Sequence, residues 1–140
     1  METNQLARAV NNIVNQQLMD THTNFIGKII SLNINTAKVQ PLTMYKAYGQ
    51  SAKAASVLVN VPILMPYKFV YKADEATKEV KAIVQEELKE GDTVYCGVCE
   101  RDITEAKKGS LSAPSIGRRH NLSDSVIIMG LSEVEYVAGE

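Results

Sequence analysis

The sequence predicts a mainly β protein: a small five-stranded OB-type Greek-key barrel with an N-terminal amphipathic helix and a second helix between strands 3 and 4. Three observations lead to this fold class. Five apolar segments have the length of strands, the first two form a hairpin, and a long connection precedes the fifth. The prediction depends on the number of strands and on the position of the second helix between strands 3 and 4. The alternative is a different small barrel or an open α+β sheet.

Size and charge fit one compact domain. The chain has 140 residues, 45% of them hydrophobic, which is enough to fill one core. Its 15 basic and 16 acidic side chains nearly cancel, so no field of one sign favours nucleic acid or an anionic membrane. We divide the chain into an N-terminal helix and linker (1–23), the barrel domain (24–131) and a C-terminal tail (132–140).

Neither a leader nor a membrane span is expected. The N-terminus METNQLARAV lacks the basic-then-apolar order of a signal peptide. The most apolar run, Val57 to Met65, is interrupted by Asn60 and Pro62 and is far shorter than the roughly 20 residues of a membrane helix. We expect a protein that is soluble where it is made.

Residues 3 to about 20 predict an amphipathic helix, because apolar side chains recur at helical spacing while amides fill the opposite face. The apolar positions are Leu6, Val10, Ile13, Val14 and Leu18. Such a helix packs on its own sheet or against copies of itself in an oligomer. Leu6, Val10, Ile13 and Leu18 are the candidates for an oligomer or partner contact.

The first three strands follow the helix. Asn24 to Asn33 and Asn35 to Leu42 are separated by a tight polar turn and predict a hairpin. In the segment from Val57 to Ile63, β-branched residues alternate with others, which predicts a third strand. Pro62 lacks a backbone donor, so we expect an edge or bulge there.

The segment from Asp74 to Lys89 predicts the second helix. Asp74 stands where an N-cap belongs, an apolar stripe follows, and Gly91 stands where a left-handed C-cap belongs. The fourth strand is Asp92 to Cys99. The fifth, Val126 to Leu131, is apolar on both faces and should therefore be central.

Cys96 and Cys99 form a C-x-x-C pair, the spacing of half a zinc site or of a redox pair. Residues three apart in a strand point to opposite faces, so the sulfurs would diverge. A zinc site also needs two further ligands, and His22 and His120 are the only histidines. We expect two ordinary strand cysteines and no metal or cofactor.

Two groups of charged residues, which we call the charged corners, flank the long loop. One follows the fourth strand (100–102) and the other precedes the fifth (118–124). They bring ions of both signs to the ends of a loop that would cross the end of the sheet, so ion pairs would tie this loop down. The candidates for this structural role are Arg101, Asp102, Arg118, Arg119, His120 and Asp124. Two solvated loop ends are the alternative.

One segment reads ERDI (100–103), and a second reads RRHNLSDS (118–125) and is followed by the strand VIIMGL. These segments resemble the N-terminal OB domain of the phage membrane-puncturing spike family. Four further segments match this family in the expected order: GKIISLN, KVQPL, VNVPILMP and GDTVYCGVCERD. The resemblance depends on their order and not on any single motif. The resemblance implies a structural protein and not an enzyme. Such domains form homotrimeric collars at the tip of the tail tube, within the baseplate of a virion assembled in the host cytoplasm.

Two departures from the family pattern bear on partners. The chain stops at Glu140 without a His-x-His pair, so the puncturing needle would be a separate chain or absent. Where the family has a Gly-rich strand, this sequence has KFVYKADEATKEVKAIVQEELKE, and a helix there would suit a hub or tape-measure partner.

The alternative function is a single-stranded nucleic-acid-binding OB module, which needs a basic groove with aromatic stacking residues. Lys and Arg are scattered here, Trp is absent, and several of the six tyrosines lie in or near predicted loops. We therefore expect other tail proteins, not nucleic acid, as partners. A metal or thiol enzyme built on the C-x-x-C pair is the weakest alternative.

Overall fold

The computed structural model describes residues 2–20, 22–44, 49, 51–111, 113 and 119–138, with side chains in the helix described for residues 4–17. It is mainly β, with one α-helix followed by eight strands. The elements are α1 (Glu2–Asp20), β1 (Asn24–Leu32), β2 (Thr36–Pro41), β3 (Leu58–Pro62), β4 (Tyr67–Asp74), β5 (Val80–Glu87), β6 (Thr93–Val98), β7 (Ser125–Gly130) and β8 (Glu133–Val137). Two single turns of 3-10 helix lie at Ala106–Lys108 and Leu122–Asp124.

The larger sheet is a curled antiparallel sheet of five strands in the order β3-β2-β1-β6-β7. These are the five strands that the sequence predicts, including the β1–β2 hairpin and the edge position of β3 with Pro62. Alternating residues of these strands fill one core, because every second side chain points to the concave face. Its buried members include Ile29, Ala37, Val39, Val61, Val94, Cys96 and Ile127.

The prediction of a central position for β7 is wrong. β7 is the outer strand of the larger sheet and pairs only with β6 along its length. Its second edge has no continuous ladder and makes two isolated backbone contacts. Ile63 forms a single parallel bridge with Ile127, and the Leu64 N–H donates to the Ile127 carbonyl at 2.8 Å. A strand can therefore be apolar on both faces without being central.

A three-stranded sheet, β5-β4-β8, stands where the second helix was predicted. The helix prediction is wrong, because residues 80–87 pair antiparallel with β4. Val80, Ile83 and Val84 fit a helical stripe, but β-branched residues also favour strands. Local spacing left both conformations open, and pairing with β4 decided between them.

The signals that suggested helix caps are turn signals here. The Asp74 carboxylate accepts hydrogen bonds from the Ala76 N–H at 2.8 Å and the Thr77 N–H at 3.2 Å, as an N-cap would, but it closes the β4–β5 hairpin turn. Lys78 completes this turn with φ 60°, and Gly91 has the left-handed φ of 90° in the turn before β6. Asp74 and Gly91 thus stand at the end of a strand and in a turn, respectively, and not at the ends of the predicted helix.

The C-terminal tail predicted for residues 132–140 contains β8, which pairs in parallel with β4. Tail residues become a strand because β4 has a free edge and β8 alternates Glu and apolar side chains in register with it. Glu135 forms an ion pair with Lys72, its partner in the ladder. The second sheet is therefore built from the middle and the end of the chain.

A buried ion pair joins the two sheets. Lys68 of β4 is 1% exposed, and its Nζ lies 2.8 Å from the carboxylate of Asp92, which precedes β6 and is 3% exposed. Glu133 of β8 approaches the same ammonium at 3.0 Å. Burial lowers the pKa of Lys68, but the hydrogen bonds to Asp92 and Glu133 outweigh it and raise the pKa, so Lys68 stays charged.

Asp92 itself is held by the backbone around it. Its second carboxylate oxygen accepts from the Lys89 N–H at 2.8 Å, and its carbonyl accepts from the Ile29 N–H at 2.9 Å. Close by, Gly130 at the end of β7 allows the sheets to touch, because a Cβ there would lie 2.7 Å from the Cβ of Lys68. The ammonium thus lies between the two sheets, with Asp92 and Glu133 as its carboxylate partners.

The N-terminal helix α1 has the predicted limits, and its described side chains, residues 4–17, are all exposed. Its apolar stripe does not pack on either sheet of its own chain: Leu6 is 67% and Ile13 57% exposed. Leu18 lies in α1, but its side chain is outside the described residues. Among the described helices, none is both long and apolar enough to cross a membrane.

We predict that Asp92→Ala destabilises the protein by about 3 kcal/mol, because it leaves a buried ammonium with only the exposed Glu133 as counterion. Urea unfolding at neutral pH measures the free energy of unfolding.

The matched control is Glu135→Ala, which removes the acid of an exposed ion pair in the same sheet and should cost about 0–1 kcal/mol. Equal costs for the two variants would contradict the role given to the Lys68–Asp92 pair.

Candidate functional site

The two charged corners predicted from the sequence meet in the structure. Arg101 and Arg119 form an antiparallel backbone bridge, and the His120 N–H donates to the Glu100 carbonyl at 3.0 Å. The loop between β6 and β7 is therefore closed at its base by the main chain. This arrangement places the backbones of the two arginines next to each other.

Asp124 is the buried centre of this corner. It is 0% exposed, and its carboxylate accepts from the Ile103 N–H at 3.1 Å, which ties the start of the loop to its end. Its carbonyl accepts from the Cys99 N–H at 2.9 Å. Asn121 caps the 3-10 turn that delivers Asp124, since its side chain accepts from the Ser123 N–H at 2.9 Å.

His120 connects the corner to the segment that follows α1. Its backbone is left-handed, with φ 46°, so the chain turns sharply there. The His120 carbonyl accepts from the His22 N–H at 3.3 Å, and the His120 Nδ1 lies 3.1 Å from the His22 carbonyl. The two histidines thus meet through one ring and two backbones, which is a structural contact and not a metal-binding pair.

The remaining candidates have local roles or lie outside the described residues. The Asp102 carboxylate accepts from the Thr104 N–H at 2.9 Å, which shapes the start of the loop. Arg118 lies outside the described residues. The role of ion pairs among the six candidates in holding the loop stays a prediction. The hydrogen bond to Asp124 and the backbone bridge close the base of the loop.

The cysteines have the environment of structural residues. Cys96 belongs to the buried core, and burial raises the pKa of its thiol to about 12. Burial and the charge of Asp124 raise the pKa of Cys99, and both thiols are free. Thiolate is the nucleophilic and metal-binding form, so neither cysteine is activated at neutral pH. Within the described ranges, no group of three or more His, Cys, Asp or Glu is placed to hold a metal ion.

An open groove of about 700 Å³ lies at the end of β1 and β2. Its described lining is mostly apolar, with Phe25, Met44 and Leu58 among its members, and its polar groups include His22 and Asn24. No carboxylate among these described lining residues orients the imidazole as a general base. The described part of the groove therefore offers mostly apolar surface beside one imidazole.

Sequence reasoning missed the Lys68–Asp92 pair and the whole second sheet. The run YKFVYK (67–72) carries the signal, because an aromatic residue stands at every second position, as on one face of a strand. That signal indicates a strand, but it does not indicate that Lys68 is buried, because its partner is 24 residues away in the chain.

Comparison with protein-family models gives no match for this chain, and comparison with curated protein sequences gives none either.

We predict that Asp124→Ala destabilises the protein by about 1–3 kcal/mol, because the partly buried Ile103 N–H loses its acceptor. The loop between β6 and β7 should then be cleaved faster in limited proteolysis. Glu105→Ala, at an exposed position in the same loop, is the control and should change neither quantity. Unchanged cleavage in Asp124→Ala would argue against the closing role of this carboxylate.

We also predict that native Cys99→Ser does not react with a thiol reagent at about pH 8, since the remaining Cys96 is buried and almost fully protonated. The same variant in concentrated urea should release one thiol per chain, which serves as the control. Fast labelling of the native variant would contradict the structural role of Cys96.

Proposed function

We propose that the protein is a structural component of the baseplate of a contractile phage tail or a phage-tail-like particle. It acts there as a trimeric spike collar or hub adaptor at the tip of the tube. In this proposal it catalyses no reaction and needs no cofactor. Its partners are copies of itself, other baseplate or hub proteins and a separate needle chain, and its location is the virion.

We further propose that the five-stranded sheet is an OB-type barrel. The order β3-β2-β1-β6-β7 and the parallel contact of Ile63 in the segment after β3 with Ile127 in β7 support this assignment. Such a barrel is five-stranded and partly open, with Greek-key connections. The β4–β5 hairpin then occupies the connection between the third and fourth barrel strands.

The observation that carries the proposal is the meeting of the two segments that resemble the spike family. ERDI and RRHNLSDS are about 15 residues apart in the chain, yet Arg101 bridges Arg119 and Ile103 donates to Asp124. A collar needs a rigid domain whose loops keep their shape under load. Backbone and buried-carboxylate hydrogen bonds at the rim of the barrel supply that rigidity.

Assembly is the second requirement of a collar, and α1 supports it. Its apolar stripe is exposed along the whole described length. An isolated helix of 19 residues is marginally stable in water and gains stability when an amphipathic face is buried. Leu6, Val10, Ile13 and Leu18 therefore remain our candidates for a contact with other copies or with a hub.

Two measurements test the proposal. Light scattering on the purified protein should give three times the mass of one chain. Antibodies against the protein, detected with gold in electron micrographs of particles from cells that produce it, should label one end of the tail at the tip of the tube.

The outcomes separate the alternatives. Labelling along the sheath, or none on any particle, would contradict a role at the tip, and a monomer at every concentration would contradict the collar. Retention on single-stranded DNA at low salt would favour a nucleic-acid-binding OB module instead, because such binding depends on phosphate contacts.

A further inference from the structure

The three-stranded sheet exposes an apolar face. Alternation along the strands places Phe69, Tyr71, Ile83, Val134 and Tyr136 on the same side, as the pairs Tyr71–Ile83 and Tyr71–Val134 show. Ile83 is 58%, Val134 56% and Tyr136 50% exposed. We call these five residues the outer face. The opposite side carries Lys68 and Val70, which are buried toward the larger sheet.

The same sheet has two free edges. In the described part of the chain, β5 pairs only with β4, and so does β8. An exposed edge of eight residues with apolar side chains, such as β5, is a template for pairing with another strand. The free edges and the outer face together form one continuous surface. The Lys78 ammonium covers its Tyr136 end at 4.7 Å from the ring, while no described strand pairs with either edge.

The two edges run in opposite directions. β5 is antiparallel to β4, whereas β8 is parallel to it. When identical sheets stand side by side in the same orientation, β8 of one copy therefore meets β5 of the next as an antiparallel pair. Antiparallel pairing satisfies both rows of free backbone groups.

We infer that this surface joins copies of the chain head to tail, with β8 of each copy pairing with β5 of the next, so that a closed ring encloses the outer faces. The occupant is a second copy of this chain, because each copy supplies both complementary edges. A head-to-tail contact of this kind forms a ring when its rotation closes.

One register places Val134 opposite Ile83 on the inner face, with Glu133 opposite Val84 and Glu135 opposite Ala82. Tyr136 then lies opposite Lys81, whose ammonium lies 3.5 Å from Asp74 of its own chain. A slip of one residue would place the partner's side chains on the wrong face. A slip of two, with Val134 opposite Gln85, would place Glu133 against Glu86.

The number of copies follows from the size of a barrel. About eight strands enclose an interior just wide enough for side chains to fill. Each copy contributes three strands, so three copies give nine and two give only six. Six strands leave little room for the rings of Phe69, Tyr71 and Tyr136 from each copy, so the closed form is a trimer.

The area is consistent with a stable contact. Phe69, Ile83, Val134 and Tyr136 are 38–58% exposed and Tyr71 is half-buried. Together they form a patch on the order of 400 Å², within the range of the largest patches on monomers. That is about half of the roughly 800 Å² per partner in stable interfaces. Two paired strand edges supply the remainder.

This inference rests on the trimer in the proposed function and does not depend on the role at the tail. It specifies which surface holds the trimer together and leaves α1 available for a hub or needle protein.

Disulfide cross-linking tests it. In the register above, Ile83 and Val134 face each other across the interface with Cα atoms about 4.5–5.5 Å apart, a distance that a disulfide spans. The double variant Ile83→Cys/Val134→Cys, oxidised as the assembled protein, should give a ladder that ends at three chains on a denaturing gel without reductant. Ile83→Cys alone and Val134→Cys alone should stay uncross-linked, and the wild type controls for Cys96 and Cys99.

A second variant tests the interface without new cysteines. Ile83→Glu should weaken association at least tenfold by light scattering, because it places a charge inside the barrel. The matched control is Val59→Glu, at an exposed position on the edge strand β3, which should leave the mass unchanged.

Each outcome is decisive. A trimer that gives no ladder and tolerates Ile83→Glu overturns this inference and leaves the collar in place, with α1 as the contact. Cross-linking of a single variant indicates symmetric pairing and overturns the head-to-tail arrangement. A monomer at every concentration overturns both proposals, whereas a cross-linked trimer that labels no tail tip overturns only the tail role.

Discussion

The Lys68–Asp92 ion pair is the constraint on which the arrangement of the two sheets depends. A buried ammonium is costly unless its hydrogen bonds are satisfied, and here Asp92, fixed by the Lys89 and Ile29 backbones, satisfies it from the larger sheet while Glu133 does so from the smaller one. The pair tolerates little sliding, because a small shift would leave a buried charge without its partner. The ion pair therefore constrains the orientation of the second sheet in addition to the apolar packing between the sheets.

Hydrogen bonds close the rim of the larger sheet in a similar way. The buried Asp124 carboxylate and the backbone bridge between Arg101 and Arg119 hold the two ends of the β6–β7 loop together. The thiols nearby are protonated because burial raises their pKa values, so this region has little reactive chemistry.

Replacing the predicted helix by a hairpin changes how the chain associates. A helix at residues 74–89 would have presented a solvated face of Glu and Lys, whereas the sheet presents two free edges and an apolar face. Strand edges bind through the backbone and so depend on direction and register. The second sheet is thus better suited than a helix to define a ring of identical subunits.

The sequence by itself determined α1 and the strands β1, β2, β3, β6 and β7, because helical spacing and alternation with one buried face are local signals. It placed the ends of an element at Asp74 and Gly91, but it assigned them to a helix. It also indicated that the corners at Arg101 and Arg119 would meet. Only the tertiary structure decided that residues 80–87 are a strand and that Lys68 is buried. The stripe in that segment fits a helix or a strand equally well, and what selects the strand is pairing with β4. The partner of Lys68 is likewise distant in sequence, so no local pattern can specify its burial.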